Sequence, residues 1–220
     1  MDWTQAVDLY CERLGPGFWG EPVNALSNIG FVIVGLAMLA QARARGADFW
    51  IQILCVWCAV IGIGSFLFHV LANRWSELAD VVPIWSFVFV YVVFTLRRMF
   101  DMPWRLITQV AIVSLAVVAL VMWLLPESSG ETTNESTQYM LAVIALAAFA
   151  TALLWSGKPG AGLVIAACAT FALSLFFRSI DLAVCERIPI GTHFLWHLLN
   201  ATMVWLLLVV AVRHGSRPVP

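Results

Sequence analysis

Charge is the scarcest resource of this sequence: 11% of its residues are Asp, Glu, Lys or Arg, against roughly 25% in soluble domains. Twelve Lys and Arg spread over 220 residues, with a formal net charge of -1, leave no basic face, which excludes phosphate-backbone binding and with it nucleic acid. The first apolar run has neither a basic segment before it nor a small-residue cleavage site after it, so no cleaved signal peptide is expected. No stretch is left over for a soluble domain or a low-complexity tail. Histidine is rarer still, with four in the chain.

What fills the sequence instead is apolar: 62% hydrophobic residues and a mean hydropathy of +0.90. A bilayer core needs about 20 predominantly apolar residues per helix. Seven segments reach that length, at 24–42, 49–71, 79–97, 104–125, 138–156, 160–180 and 192–213. The predicted fold is therefore all-α, a bundle of seven transmembrane helices over 24–213, with an N-terminal segment 1–23 and a tail 214–220. The breaks carry turn or polar chemistry, as in "RARGAD", "ANRWSE", "RRMFDMP", "PESSGETTNEST", "SGKPG" and "DLAVCERIPIG".

Cytoplasmic loops are enriched in Lys and Arg. Arg43, Arg45, Arg97, Arg98, Arg105, Lys158, Arg213 and Arg217 fall on one side of the expected bundle; Arg13, Arg74, Arg178 and Arg187 fall on the other, with most of the acids. That bias places the N-terminus outside and the C-terminus in the cytoplasm. The short loops suit a bacterial cytoplasmic membrane. Most of the eleven tryptophans, among them Trp3, Trp19, Trp50, Trp75 and Trp104, fall near the span ends and read as an aromatic belt. Cys55, Cys58 and Cys168 lie within spans and read as small buried hydrophobes. Cys11 and Cys185 both fall outside, where an oxidising exterior permits a disulfide.

The polar residues inside the spans converge. His69 comes near the end of an outward-running helix, and His193 and His197 near the start of an inward-running one, a helical turn apart on one face. Asp80 opens the third helix at the same level, and Ser65 precedes His69 by a turn. His214 lies in the basic tail. Intramembrane ionisable groups are costly and face the bundle interior with partners. Three histidines leaving a fourth position open form a catalytic zinc arrangement. A carboxylate such as Asp80 could move the water's proton, and Ser65 could stabilise an oxyanion. Plainer readings stand beside these: interhelical hydrogen bonding for each histidine, an N-cap for Asp80, and helix packing beside Gly62 and Gly64 for Ser65. Arg178 and Asp181 in "FFRSID" are spaced for a helical ion pair.

The combination "SFLFH" (Ser65 to His69), Asp80 in "LADVVPIW" and "HFLWH" (His193 to His197) resembles the S-x-x-x-H, D and H-x-x-x-H signature of the alkaline ceramidase family, within a wider superfamily of seven-helix membrane hydrolases. The resemblance runs from residue 8 to about 205. It implies zinc on His69, His193 and His197, Asp80 acting on the water, Ser65 on the oxyanion, and cleavage of a ceramide amide to a sphingoid base and a fatty acid. The substrate would be a lipid entering from the bilayer, and no obligate protein partner is inferred. "DLYCERLGPGFWGEPVNALSN" resembles the family's calcium-binding segment, with Asp8, Glu12 and Glu21 at its acidic positions and Cys11 with Cys185 at those of a family disulfide. Hard carboxylate oxygens suit calcium. The spacings between Asp8 and Cys11 and between Glu12 and Glu21 depart from the eukaryotic pattern, and Glu21 and Asn24 also read as caps of the first helix. The superfamily leaves two rivals open, a receptor of the adiponectin and progestin type and a hydrolase of lipid esters. A channel or structural protein whose histidines only titrate is a third.

Overall fold

In the computed structural model, residues 2–124 and 136–215 are described. The polar connection 125–135 and the tail from 216, with Arg217, lie outside them. All the regular elements described are helical: α1 (Pro22–Ser27), α2 (Ile29–Ala44), α3 (Phe49–Leu71), α4 (Arg74–Phe94), α5 (Trp104–Leu124), α6 (Met140–Trp155), α7 (Ala161–Val184) and α8 (His193–His214). A π-helical turn, Thr95–Met99, extends α4, and a 3-10 turn, Ser136–Tyr139, leads into α6.

Five stretches are long and apolar enough to cross a membrane: Pro22–Ala44, Phe49–Leu71, Arg74–Met99, Ala161–Val184 and His193–His214. Shorter apolar stretches occupy Trp104–Val117 and Met140–Trp155. The helices are apolar on their outer faces as well as toward the core: Ile33, Phe89, Val113, Ile144 and Phe176 are each more than half exposed. A soluble protein would not leave so continuous an apolar surface in water. This is a membrane protein.

The helix ends follow local chemistry. Asp48 caps α3 by accepting from the N–H groups of Trp50 and Ile51. At the other end Ala72 takes the left-handed conformation and returns its N–H to the Phe68 carbonyl. The helix expected to open near residue 79 opens at Arg74, because Asn73 and Ser76 form a reciprocal capping box. Four residues of the "ANRWSE" break are thus helical, and Asp80 lies in the second turn of α4 rather than at its cap. The first span breaks at Asn28 into α1 and α2.

α8 packs against α7 and α2, and α3 packs between α2 and α4. Gly64 sets the α3–α4 approach: a Cβ there would overlap the Ala79 carbonyl. Small residues at such crossings let backbones come together in the membrane. Their effect here is to put Ser65 of α3 beside Asp80 of α4. At the other end of the bundle Arg98 pairs with Asp48 at 2.8 Å, and the Trp50 and Trp104 rings stack with Arg98 and Arg97 over them.

Candidate active site

Two helices deliver the three histidines. His69 lies near the C-terminal end of α3, His193 is the first residue of α8, and His197 lies one turn further on. All three are buried, and their ligand-capable atoms lie within 4.8 Å of one another. Among the described residues this is the one group of three or more His, Cys, Asp or Glu side chains so arranged.

Hydrogen bonds fix which nitrogens face inward. His69 Nδ1 lies 2.6 Å from Glu21 Oε2, a carboxylate that can only accept, so Nδ1 carries the proton. Ser27 donates its hydroxyl to the Asn24 carbonyl and lies 2.7 Å from His197 Nδ1, so it accepts from that nitrogen. The two remaining nitrogens, His69 Nε2 and His197 Nε2, face each other at 3.2 Å. Two lone pairs at that distance repel unless a cation lies between them. His193 completes the set with a buried Nδ1 that has no hydrogen-bond partner among the described residues. Neutral imidazoles with their far nitrogens tied to a carboxylate and a hydroxyl are the usual setting of metal-binding histidines. The residues present fit a metal ion.

Asp181 explains how α8 starts where it does. The reading of Asp181 as an ion-pair partner of Arg178 is corrected, for no such pair occurs among the described residues. Its Oδ1 accepts from the N–H groups of Thr192, at 2.6 Å, and His193, at 2.9 Å, and its Oδ2 accepts from that of Cys11, at 3.0 Å. A buried carboxylate thus holds the helix N-terminus bearing His193. The same group anchors Cys11, whose disulfide to Cys185 is formed. Arg178 turns the other way. Its Nη1 donates to the Tyr10 hydroxyl at 2.7 Å, and its guanidinium lies over the Tyr10, Tyr139 and Trp196 rings. Burial pushes the Tyr10 phenol up, so its hydroxyl stays protonated at any ordinary pH. The Tyr10 ring stacks on His193 with centroids 3.6 Å apart. The Arg178–Tyr10 and Asp181–Cys11 contacts had no local signal: the partners are 168 and 170 residues apart.

Asp80 lies with Ser65, His69 and Arg178 around its carboxyl, and its buried Oδ1 lacks a hydrogen-bond partner among the described residues. All five residues predicted to share one polar layer therefore share it. Two of them, Ser65 and His197, open with Asn200 onto the polar end of an apolar cavity of about 580 Å³ between α4, α6 and α8. Thr95, Met102 and Leu207 line its far end. From His197 to Leu207 the cavity follows α8 for ten residues, about 15 Å at 1.5 Å per residue. α4 and α6 flank it without forming one of the bundle's closely packed helix pairs among the described residues.

The acids of the N-terminal segment do not form a ligand set. Asp8 is exposed. Glu12 is buried, its oxygens accepting from the N–H groups of Val23, at 2.7 Å, and Asn24, at 2.8 Å, so that Glu12 caps α1 from outside the helix. Glu21 occupies the N-cap position but makes no side-chain cap bond. Its carboxylate takes Arg13, His69 and the Asn24 amide instead. Burial alone would push the Glu21 carboxyl up; the hydrogen bonds from His69, Arg13 and Asn24 outweigh it and hold the group below its ordinary range. These oxygens are committed to N–H donors, and they do not fit calcium as they stand.

The fold and the site define a helical membrane protein with a three-histidine centre beside an acid and a hydroxyl. Over residues 16–216 the chain matches the ceramidase family, and it belongs to that family. Membership implies an amidohydrolase acting on a ceramide-type lipid. No curated protein sequence matches it.

Proposed function

We propose that the protein is a zinc-dependent intramembrane amidohydrolase that cleaves ceramide, or a related N-acyl lipid, to a sphingoid base and a fatty acid. The observation that carries the reading is the meeting of three clustered imidazoles with Asp80 and Ser65, of which Ser65 and His197 line the polar end of an apolar cavity. Three neutral histidines are a common catalytic zinc set. When bound, zinc would supply an acidified water and a Lewis acid for the amide carbonyl.

This chain's own residues do the rest. The cavity takes one apolar tail along α8, which brings the amide at its polar end level with His197 and Ser65. Asp80 accepts the proton of the attacking water and returns it to the leaving amine. Ser65 donates to the oxygen on which negative charge develops. The apolar walls exclude bulk water, so neither charge is screened. The gap between α4 and α6 is the route by which a two-tailed lipid enters from the bilayer.

In this reading α5 and α6 complete a seven-span domain over 24–213. The segment 1–23 lies outside and the tail 214–220 in the cytoplasm, following the arginine bias. The site then lies toward the outer face of a bacterial cytoplasmic membrane. The test is product analysis: purified protein incubated with a ceramide releases fatty acid and free sphingoid base, and Asp80→Ala holds metal but loses turnover. Release of fatty acid from an ester analogue alone would make the protein an esterase of the same mechanism.

A further inference from the structure

The segment that resembles a calcium site is organised around a cation of the chain's own. We propose that Arg13 is a positioning residue of the metal centre: its guanidinium fixes Glu21 and the main chain of His69, and it leaves this segment independent of calcium. The proposal rests on reading the three histidines as a zinc site.

The Arg13 side chain is 6% exposed and that of Glu21 2%. Arg13 Nε donates to Glu21 Oε1 at 2.5 Å, while Glu21 Oε2 receives the His69 ring at 2.6 Å. Arg13 Nη2 donates to the His69 carbonyl at 2.7 Å. That carbonyl lies in the last turn of α3, where no intrahelical donor is left to it; the Asn73 N–H, four residues on, bonds Ser76 instead. The guanidinium therefore reaches one metal ligand twice, through the carboxylate that orients its ring and through its own backbone. The third donor, Nη1, holds the Gly15 carbonyl at 3.1 Å. Gly20 closes this loop: a Cβ there would lie 2.8 Å from Arg13 Nη1 and 2.9 Å from the Gly15 oxygen.

Calcium holds such a segment by gathering oxygens at about 2.3 to 2.6 Å. Here the three oxygens that face inward already converge on a planar fork of N–H donors, the geometry at which arginine excels. A divalent ion on Glu21 Oε1 would lie against a fixed positive charge. The buried pair is neutral without it, and a further two charges would have to be desolvated against that guanidinium. A tethered cation does not dissociate, so the coupling of this segment to the zinc ligands is permanent rather than set by calcium concentration.

The experiment uses full-length protein in detergent and calcium-stripped buffer. Zinc affinity is measured by competition with a chromophoric chelator, and turnover in parallel, as calcium is added. Wild type is expected to change less than twofold in both. Arg13→Ala should keep its helix content but bind zinc about 10- to 100-fold more weakly, the usual cost of losing a ligand's hydrogen-bonding support. Arg13→Lys, which keeps the charge without the fork, should fall between them. Gly20→Ala, which keeps every donor but crowds the guanidinium, should weaken zinc in the same direction. Wild type whose zinc affinity or turnover rises tenfold with calcium would overturn the proposal, as would Arg13→Ala that holds zinc like wild type. Wild type that holds no zinc at all would overturn the zinc reading, and this inference with it.

Discussion

Replacing Asp181 with asparagine removes one charge and almost nothing of the shape. The carboxylate accepts three main-chain N–H groups, from Cys11, Thr192 and His193, and is fully buried. Asparagine can keep the Oδ1 bonds to Thr192 and His193, but these become neutral bonds, worth about 1 kcal/mol each instead of about 2. Its amide nitrogen then faces the Cys11 N–H, donor against donor, which leaves a buried donor unpaired at roughly 1 to 3 kcal/mol. Together the change should cost about 3 to 5 kcal/mol, a large part of the 5 to 15 kcal/mol that holds a typical fold. Denaturant unfolding of the oxidised protein in detergent measures it, and Asp181→Ala should cost more. A loss below about 1 kcal/mol for Asp181→Asn would refute the claim that this carboxylate anchors the start of α8.

Three further outcomes follow from the same geometry. Ser27→Ala removes the acceptor that orients His197 Nδ1, so zinc affinity should fall about tenfold, read by chelator competition. Gly64→Ala forces α3 from the Ala79 carbonyl and shifts Ser65 relative to Asp80; turnover should drop about 100-fold with zinc content unchanged, since misplacement near 1 Å costs that much. Val204→Trp fills the cavity partway along α8, so hydrolysis of long-chain ceramides should fall at least tenfold while short-chain substrates are cleaved as before, measured as a ratio of kcat/KM values.

Five of the seven expected spans were legible because each is a local property. The run 49–71 is bounded by Asp48 and by Ala72, and α3 occupies those residues at both ends. The histidine layer was legible for a related reason: intramembrane polar residues are rare, and those present had to find one another. The start of α4 was not, because Asn73 and Ser76 read as turn chemistry until their reciprocal cap is seen, and Asp80 moved from a cap into a helix interior with it. The support of the site was least legible. Asp181 was read with its near neighbour Arg178, yet its partners come from the N-terminal segment and from α8. Glu21 was read as a calcium ligand, yet it serves His69, 48 residues away. Spacing within one helix cannot report contacts that only the packed bundle creates.

The most direct test of the account is zinc per protein, by elemental analysis of detergent-purified wild type and His197→Ala, each assayed in parallel for fatty-acid release from a short-chain fluorescent ceramide. The account predicts near-stoichiometric zinc and hydrolysis in the wild type, and loss of both in the variant. Wild type that hydrolyses ceramide without zinc, or that binds no zinc and does nothing, would contradict it and return His193 and His197 to helix packing.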